Sequence, residues 1–248
     1  MKYVIRGRRA AVAAAGAAAL LALTACGSDD DGGSEANGGP AQADAVEAMR
    51  SATSVHAVGE MIVVADPAQV DVQTDKKGNC VGSAKEGEKG AVEFVMQGDT
   101  AWLKPDAAYL ESEMMYDAEL IAEVEGSYLE QPKSDVPTAL ADLCKLGTYV
   151  EQTDSVVSFS PEMTQKEKTE HKGVAVVPYV NEDPSTSDGA SMKIAAEGKP
   201  YPVTITDPEG AEVDLAFSAF GKPVKAEAPA AESVLTEDQL SDIRLEQM

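Results

Sequence analysis

Apolar residues recur along the chain with two periods, and each change of period marks an element. In Ala41–Thr53, Val46, Met49 and Thr53 fall at helical spacing, with Asp44, Glu47 and Arg50 elsewhere on the wheel, which predicts a short amphipathic helix. The period then drops to two. Residues 55–66 are rich in β-branched side chains and stop at Pro67, and Val70-Asp71-Val72-Gln73-Thr74 alternates after them, predicting two strands.

The next hairpin is legible to the residue. Gly98-Asp99 joins residues 91–97 to residues 100–104, and glycine in the first position of a two-residue loop asks for a type II′ turn. Closing it there sets Gln97 opposite Thr100, Met96 opposite Ala101, Val95 opposite Trp102, Phe94 opposite Leu103 and Glu93 opposite Lys104. Val92, Phe94, Met96, Ala101 and Leu103 then share one apolar face, and the opposite charges of Glu93 and Lys104 meet. Trp102, the single tryptophan, falls on the other face with Val95, a position that needs a cover.

Helical spacing returns in residues 117–125, where Leu120, Ile121 and Val124 form a stripe that stops at Gly126. A second helix is predicted from an Asp135 N-cap and a Pro137 first turn to a left-handed Gly147, with Leu140, Leu143 and Cys144 on its inward side. Strands are expected at Thr148-Tyr149-Val150, at Val156 to Phe159 and at Val174 to Val180, with a polar segment at 161–172. Ser83 to Gly90 reads as a hairpin turn. In the last hairpin Tyr201, Val203 and Ile205 face Val213, Leu215 and Phe217, which places Asp207 opposite Ala211 around a Pro208-Glu209-Gly210 loop. Beyond Phe220-Gly221-Lys222-Pro223 the chain is rich in Ala, Glu and Pro, with a short helix expected from Thr236 to Leu245.

The N-terminus adds location. Lys2, Arg6, Arg8 and Arg9 precede an apolar run, Ala10 to Leu23, that is shorter than the roughly 20 residues of a membrane span and has the plan of a secretory signal peptide. Leu23-Thr24-Ala25-Cys26 resembles the bacterial lipobox, in which the cysteine is diacylglycerylated and the chain is cut before it. The expected partition is a signal peptide at 1–25, a lipidated Cys26 with a disordered acidic tether at 26–40, and a single domain at 41–248. Anchoring by acyl chains such as palmitate would place the protein on the outer face of the cell membrane.

Charge narrows the partners. The full chain carries a net charge of −23, and loss of the four basic leader residues leaves a more negative mature protein with no basic run. Nucleic acid is therefore excluded as a partner, and adhesion to an anionic bilayer without the anchor is disfavoured. With Cys26 acylated, Cys80 and Cys144 remain, an even pair that reads as a disulfide in an exported protein. It would pin the second helix onto the loop before the 91–104 hairpin.

No catalytic motif is present: Gly-x-Ser-x-Gly, His-Glu-x-x-His and Cys-x-x-Cys are all missing. His56 and His171 sit in polar surroundings and read as surface residues. Setting Asp183 first in a calcium loop would put Asp188 where glycine is needed and Ile194 where a bidentate glutamate is needed, so residues 181–189 read as an acidic loop. The chain is read as a non-enzyme without metal or cofactor.

Ala48-Met49, Ser54-Val55-His56 and Gly59 behind a lipobox and acidic spacer resemble the start of the LppX/LprAFG-type actinobacterial lipoproteins. Gly173, Tyr201-Pro202-Val203 and Phe217-Ser218-Ala219-Phe220-Gly221-Lys222-Pro223-Val224 are similar to that family's closing strands, and the likeness runs from about Ala45 to Pro229. The chain departs from the family's Gly-Lys-Trp segment, which stands here as Gly126-Ser127-Tyr128. The resemblance implies an α+β fold, a LolA-like half-barrel whose strongly curved antiparallel sheet is covered on its concave side by helices around an apolar cavity. It also implies carriage of a lipid or lipoglycan by a monomer. Cavity candidates are the inward residues of the two hairpins (Val92, Phe94, Met96, Leu103, Tyr201, Val203, Ile205, Leu215 and Phe217) and of the helix stripes (Leu120, Ile121, Val124 and Leu140). A half-barrel fully packed with its own side chains, serving as a surface interaction module for an unspecified protein, uses the same alternation. Cavity size separates the two.

Overall fold

The computed structural model describes residues 39–63, 66–183, 189–209 and 212–246. The expected signal peptide, the expected lipidation site Cys26 and the expected tether up to residue 38 lie outside the described residues, as does part of the acidic loop. Among the described residues thirteen strands and six α-helices build an α+β half-barrel, an unclosed and mostly antiparallel sheet with helices against it. Helix α1 (Pro40–Ser51) leads into β1 (Ser54–Val63), β2 (Asp66–Asp75), β3 (Cys80–Glu86), β4 (Gly90–Gln97) and β5 (Thr100–Pro105). Helices α2 (Ala107–Ser112) and α3 (Ala118–Val124) precede β6 (Tyr128–Pro132), and α4 (Thr138–Leu143) runs straight into α5 (Leu146–Phe159). Then come β7 (Met163–Gln165), β8 (Thr169–His171), β9 (Val174–Asn181), β10 (Ser191–Ala195), β11 (Pro202–Asp207), β12 (Val213–Ser218), β13 (Val234–Leu235) and α6 (Glu237–Glu246).

The sheet grows in both directions from β1. On one side the meander β1 to β6 is strictly sequential, and on the other β12, β11, β10 and β9 follow in reverse order. Both β7 and β8 pair with β9, and β13 adds to β6 in parallel. The predicted 97–100 hairpin forms with every expected pair, and Gly98 takes φ +58° as the turn requires. In β1, Gly59 adopts φ +145°, and a Cβ there would lie 2.0 Å from the Asp214 carbonyl oxygen. Only glycine lets β12 come this close to β1.

The concave face is closed by α1, α4 and α5. Val46 and Met49 of α1, Leu140 and Leu143 of α4, and Tyr149, Val156 and Val157 of α5 join Phe94, Met96, Leu103, Ile205, Leu215 and Phe217 in one core. Tyr149 meets Phe217 edge to face, with ring centroids 6.2 Å apart. Its hydroxyl donates to the Leu143 carbonyl at 2.8 Å, so the buried ring keeps its polar tip satisfied. The expected disulfide joins Cys80 to Cys144 with Cα atoms 5.5 Å apart. Bonds across loops of this length contribute on the order of 4 kcal/mol in the chain-entropy model.

Four expectations are corrected. Thr148–Val150 and Val156–Phe159 are helix α5, not strands, and Gly147 lies in its first turn. The buried series Leu146, Tyr149, Thr153, Val156 and Val157 has helical spacing, and burial along that stripe outweighs the local β propensity of Thr-Tyr-Val. Accordingly Asp135 ends a short 3₁₀ turn and Pro137, not Asp135, is the N-cap of α4. Cys80 lies on strand β3, not in a loop. In the last hairpin Asp207 pairs with Val213 and Ile205 with Leu215, two residues out of the expected register, so the connection spans residues 208–212. A two-residue slip keeps every side chain on its face, which is why alternation alone cannot detect it. Strand β10, whose Met192 and Ile194 point into the core, was not anticipated from the sequence.

The C-terminal segment supplies the missing cover for Trp102. Ala226, with Val224 and Val234, packs on Val95 and Trp102 on the outer face of the sheet, and the indole Nε1 donates to Glu130 at 2.8 Å. Helix α6 starts with a capping box, Thr236 N–H to Gln239 Oε1 at 2.9 Å and Gln239 N–H to Thr236 Oγ1 at 3.3 Å. Truncation after Pro223 should expose Trp102 and shift its fluorescence to longer wavelength. Unchanged emission from this single-tryptophan chain would show that the tail does not cover it.

Candidate functional site

The cavity candidates separate into two groups. Val92, Phe94, Met96, Leu103, Leu140, Ile205, Leu215 and Phe217 come together in the concave core, with Tyr201 at its margin and Val203 buried. Leu120 and Val124 instead pack with Leu110, Tyr116 and Leu129, with Ile121 and residues of α6 alongside. The α3 stripe thus closes on the C-terminal helix rather than over the concave face. Phe94 and Leu103 are each 1% exposed, and Met96, Ile205 and Leu215 are 0% exposed, so no water-sized void touches the last three.

Among the described residues a cleft borders this core. Val63 at the end of β1, Ala84 and Glu86 of β3, Lys89 before β4, Tyr109 of α2 and Glu113 at its C-cap, and the Pro137 N-cap with Ala139 and Leu140 of α4 line this cleft of about 120 Å³. Val63, Ala84 and Leu140 are themselves members of the core, and Tyr109 and Ala139 pack against it. The cleft is therefore apolar at its base and charged at its rim. Lys89 Nζ lies 2.7 Å from Asp66 and 3.1 Å from Glu86, which raises its pKa, the Asp66 contact contributing most.

The local sequence explains why Tyr109 stands in this wall. Asp106 caps α2 by accepting from the Tyr109 N–H at 2.8 Å. Gly90 has φ +98°, and a Cβ there would fall 2.3 Å from Tyr109 N and from Asp106 Oδ1. Strand β4 can start beneath the α2 cap only because residue 90 is glycine. Tyr109 is half-buried, and burial first, then the charges of Glu113 and Glu86, push its hydroxyl up to about 12. Because the folded value is raised, the neutral phenol is the form that favours folding, and this contribution is lost as pH rises through about 12. The pH titration of phenolate absorbance should therefore show late-titrating phenols, with Tyr149 and Tyr128 raised as well, and the late fraction should shrink by one phenol in Tyr109→Phe. A single transition near 10 would contradict this.

The histidines take other places. His56 Nε2 lies 2.7 Å from Asp71 Oδ1, and its Nδ1 lies 3.4 Å from Ser218 Oγ, on the outer face of the sheet. Ser, His and Asp here form a cross-strand row over β12, β1 and β2. Ser218 and His56 are partners in the ladder, which engages backbone amides of the kind that would otherwise serve a tetrahedral oxyanion. His171 is held below its ordinary pKa by desolvation first, then by Lys193 and Lys172. No group of three or more His, Cys, Asp or Glu suited to a metal occurs among the described residues, and none of the described helices is long and apolar enough to cross a membrane.

The cleft was not among the sequence-predicted sites except through Leu140. Val63, Ala84, Ala139 and Tyr109 come from four separate elements, and nothing in their local spacing distinguishes them from ordinary core positions.

No family model matches the chain, and no curated protein matches it in sequence. Among solved structures it is similar to LprF from Mycobacterium bovis, at 19% identity and a TM-score of 0.49 over 77% of this chain and 96% of that one. It is also similar to the Mycobacterium tuberculosis lipoprotein LppX, at 17% identity and a TM-score of 0.40 over 75% of this chain and 96% of that one. The Pseudomonas aeruginosa MucA/MucB complex follows at 12% identity and a TM-score of 0.27, over 82% of this chain and 60% of that one. Both mycobacterial names fall within the group that the sequence resembles.

Proposed function

We propose that the chain is a non-catalytic lipoprotein on the outer face of the cell membrane, anchored through diacylglyceryl Cys26, whose single domain at 41–248 takes an acyl chain or similar apolar ligand behind its helices. The observation that carries the ligand reading is the cleft between β1, β3, α2 and α4, whose base of Val63, Ala84 and Leu140 is continuous with the concave core. Its present volume of about 120 Å³ is below the roughly 300 Å³ at which ligand pockets begin, so a chain enters only as the helices part from the sheet. Helix α4 is held at its C-terminal end by the Cys80–Cys144 bond, and α2 is a six-residue helix, so the free start of α4 and the whole of α2 are the parts able to give way. The charged rim of Lys89, Glu86 and Glu113 would then meet the polar end of the ligand.

The complete burial of Met96, Ile205 and Leu215 favours a second reading, a packed interaction module that holds no ligand. Native mass spectrometry of the protein purified from its own host, followed by lipid extraction, distinguishes them. A co-purifying lipid that is lost in Ala139→Arg, a substitution at the half-buried cleft wall, is the result expected of the carrier. A clean apo mass in both proteins would overturn that reading and leave the packed module. Anchoring is tested separately: Cys26→Ser should accumulate as precursor or appear in the medium. Membrane retention equal to that of the parent would refute it.

A further inference from the structure

At the other end of β1 from the cleft, about 30 Å away along its ten residues, lies a groove of about 380 Å³ with three walls. They are the α1–β1 link at Thr53 and Ser54, the β2–β3 turn at residues 75–79, and the segment after β12 at residues 221–224. Hydrogen bonds fix the walls to one another. Lys76 N–H donates to Thr53 O at 3.0 Å, Gly221 N–H to Ser54 O at 3.2 Å, and Ser54 Oγ to Lys222 O at 2.7 Å.

Lys76, Lys77 and Lys222 line this groove and are exposed. Among the described residues none of the three has a carboxylate at ion-pair distance, and Asp75 is the one carboxylate among the residues that line the groove. That carboxylate is turned into its own loop. Asp75 accepts from Lys77 N–H at 2.8 Å, Asn79 N–H at 3.0 Å and Asn79 Nδ2 at 2.9 Å. Lys76 Nζ spends one proton on the Arg50 carbonyl at 3.1 Å and keeps two. Further cations stand at the same end: Lys133 Nζ donates to Gly78 O at 2.7 Å, and Lys199 to the Ser51 hydroxyl. In a chain of net charge −23, where acidic residues outnumber basic ones two to one, three unpaired ammonium groups on a fixed frame are a local reversal of sign.

We infer that this groove is an anion site for a phosphate group, carried by a phospholipid headgroup or free in solution. Ammonium groups are strongly hydrated point charges that suit a compact multi-oxygen anion, and here two stand on the β2–β3 turn and one on the facing 221–224 wall, so that a phosphate in the groove is met from two sides. The site is independent of the apolar cleft, from which it is separated by the length of β1.

The test uses the chain from residue 26 onward carrying Cys26→Ser, so that neither the basic apolar leader nor a lipid anchor itself holds the protein to a bilayer. Amide resonances of Lys76, Lys77, Gly221 and Lys222 are followed during titration with inorganic phosphate. Sedimentation is measured with phosphatidylcholine vesicles with and without phosphatidylglycerol. Saturable shifts with inorganic phosphate identify the free anion as sufficient, and binding only to phosphatidylglycerol vesicles identifies the headgroup. In either case Lys77→Gln/Lys222→Gln should weaken binding about tenfold or more, while Lys145→Gln/Lys168→Gln leaves it unchanged. Unchanged Trp102 emission verifies that these surface variants are folded. Absence of binding to both probes, or a Lys77→Gln/Lys222→Gln variant that binds like its parent, would overturn the assignment.

Discussion

The joint between α4 and α5 is the constraint on which the half-barrel depends. A helix end leaves carbonyls without partners, and burying one against a sheet is costly unless something satisfies them. Here Thr74 Oγ1 donates to the Cys144 carbonyl at 2.5 Å and Tyr149 OH donates to that of Leu143 at 2.8 Å, while the Cys80–Cys144 bond fastens the same turn to β3. Strand β3 lies within the meander, hydrogen-bonded on both edges, so the bond anchors the helices to a part of the sheet that cannot fray. With the joint fixed, α5 presents Tyr149, Thr153, Val156 and Val157 to the concave face and α4 presents Leu140 and Leu143.

The same joint decides which movements are available. The concave core is closed at Met96, Ile205 and Leu215, and the cleft at its margin lies under α2 and the start of α4, the end of that helix away from the disulfide. A tightly packed core and an opening at its margin are compatible, because packing density limits what is present at rest and not which element departs first. Short α2, held by the Asp106 cap over Gly90, is such an element.

Charge is organised on a different principle from packing. The excess of carboxylates gives the molecule a repulsive long-range field toward anions, but at physiological salt that field decays over about 8 Å. Within that distance only near neighbours count, and the turn at Asp75 illustrates how a carboxylate can be turned into its own backbone amides and leave adjacent lysines unpaired. The outer face follows the same local logic: Trp102 is tolerable there because Val224, Ala226 and Val234 cover it and Glu130 takes its N–H.

What the sequence determined by itself was whatever depends on residues close together along the chain. The 97–100 hairpin, its register and its apolar face follow from Gly98-Asp99 and strict alternation, and the α3 and α6 boundaries follow from Asp117, Gly126 and Thr236. Parity of side chains was equally secure in the last hairpin for Ile205, Val213, Leu215 and Phe217, all of which reach the concave core although the register is two residues away from the expected one. Only the tertiary structure decided the rest. Thr148–Val150 became helix because its buried stripe faces a sheet assembled from distant strands, and Leu120 and Val124 left the concave core because α6, more than a hundred residues later, offered them an alternative surface. Both the cleft and the lysine groove draw their walls from three or more separated segments, so no local pattern could encode them. Periodicity states which side of an element is apolar, and only the assembled chain states what that side meets.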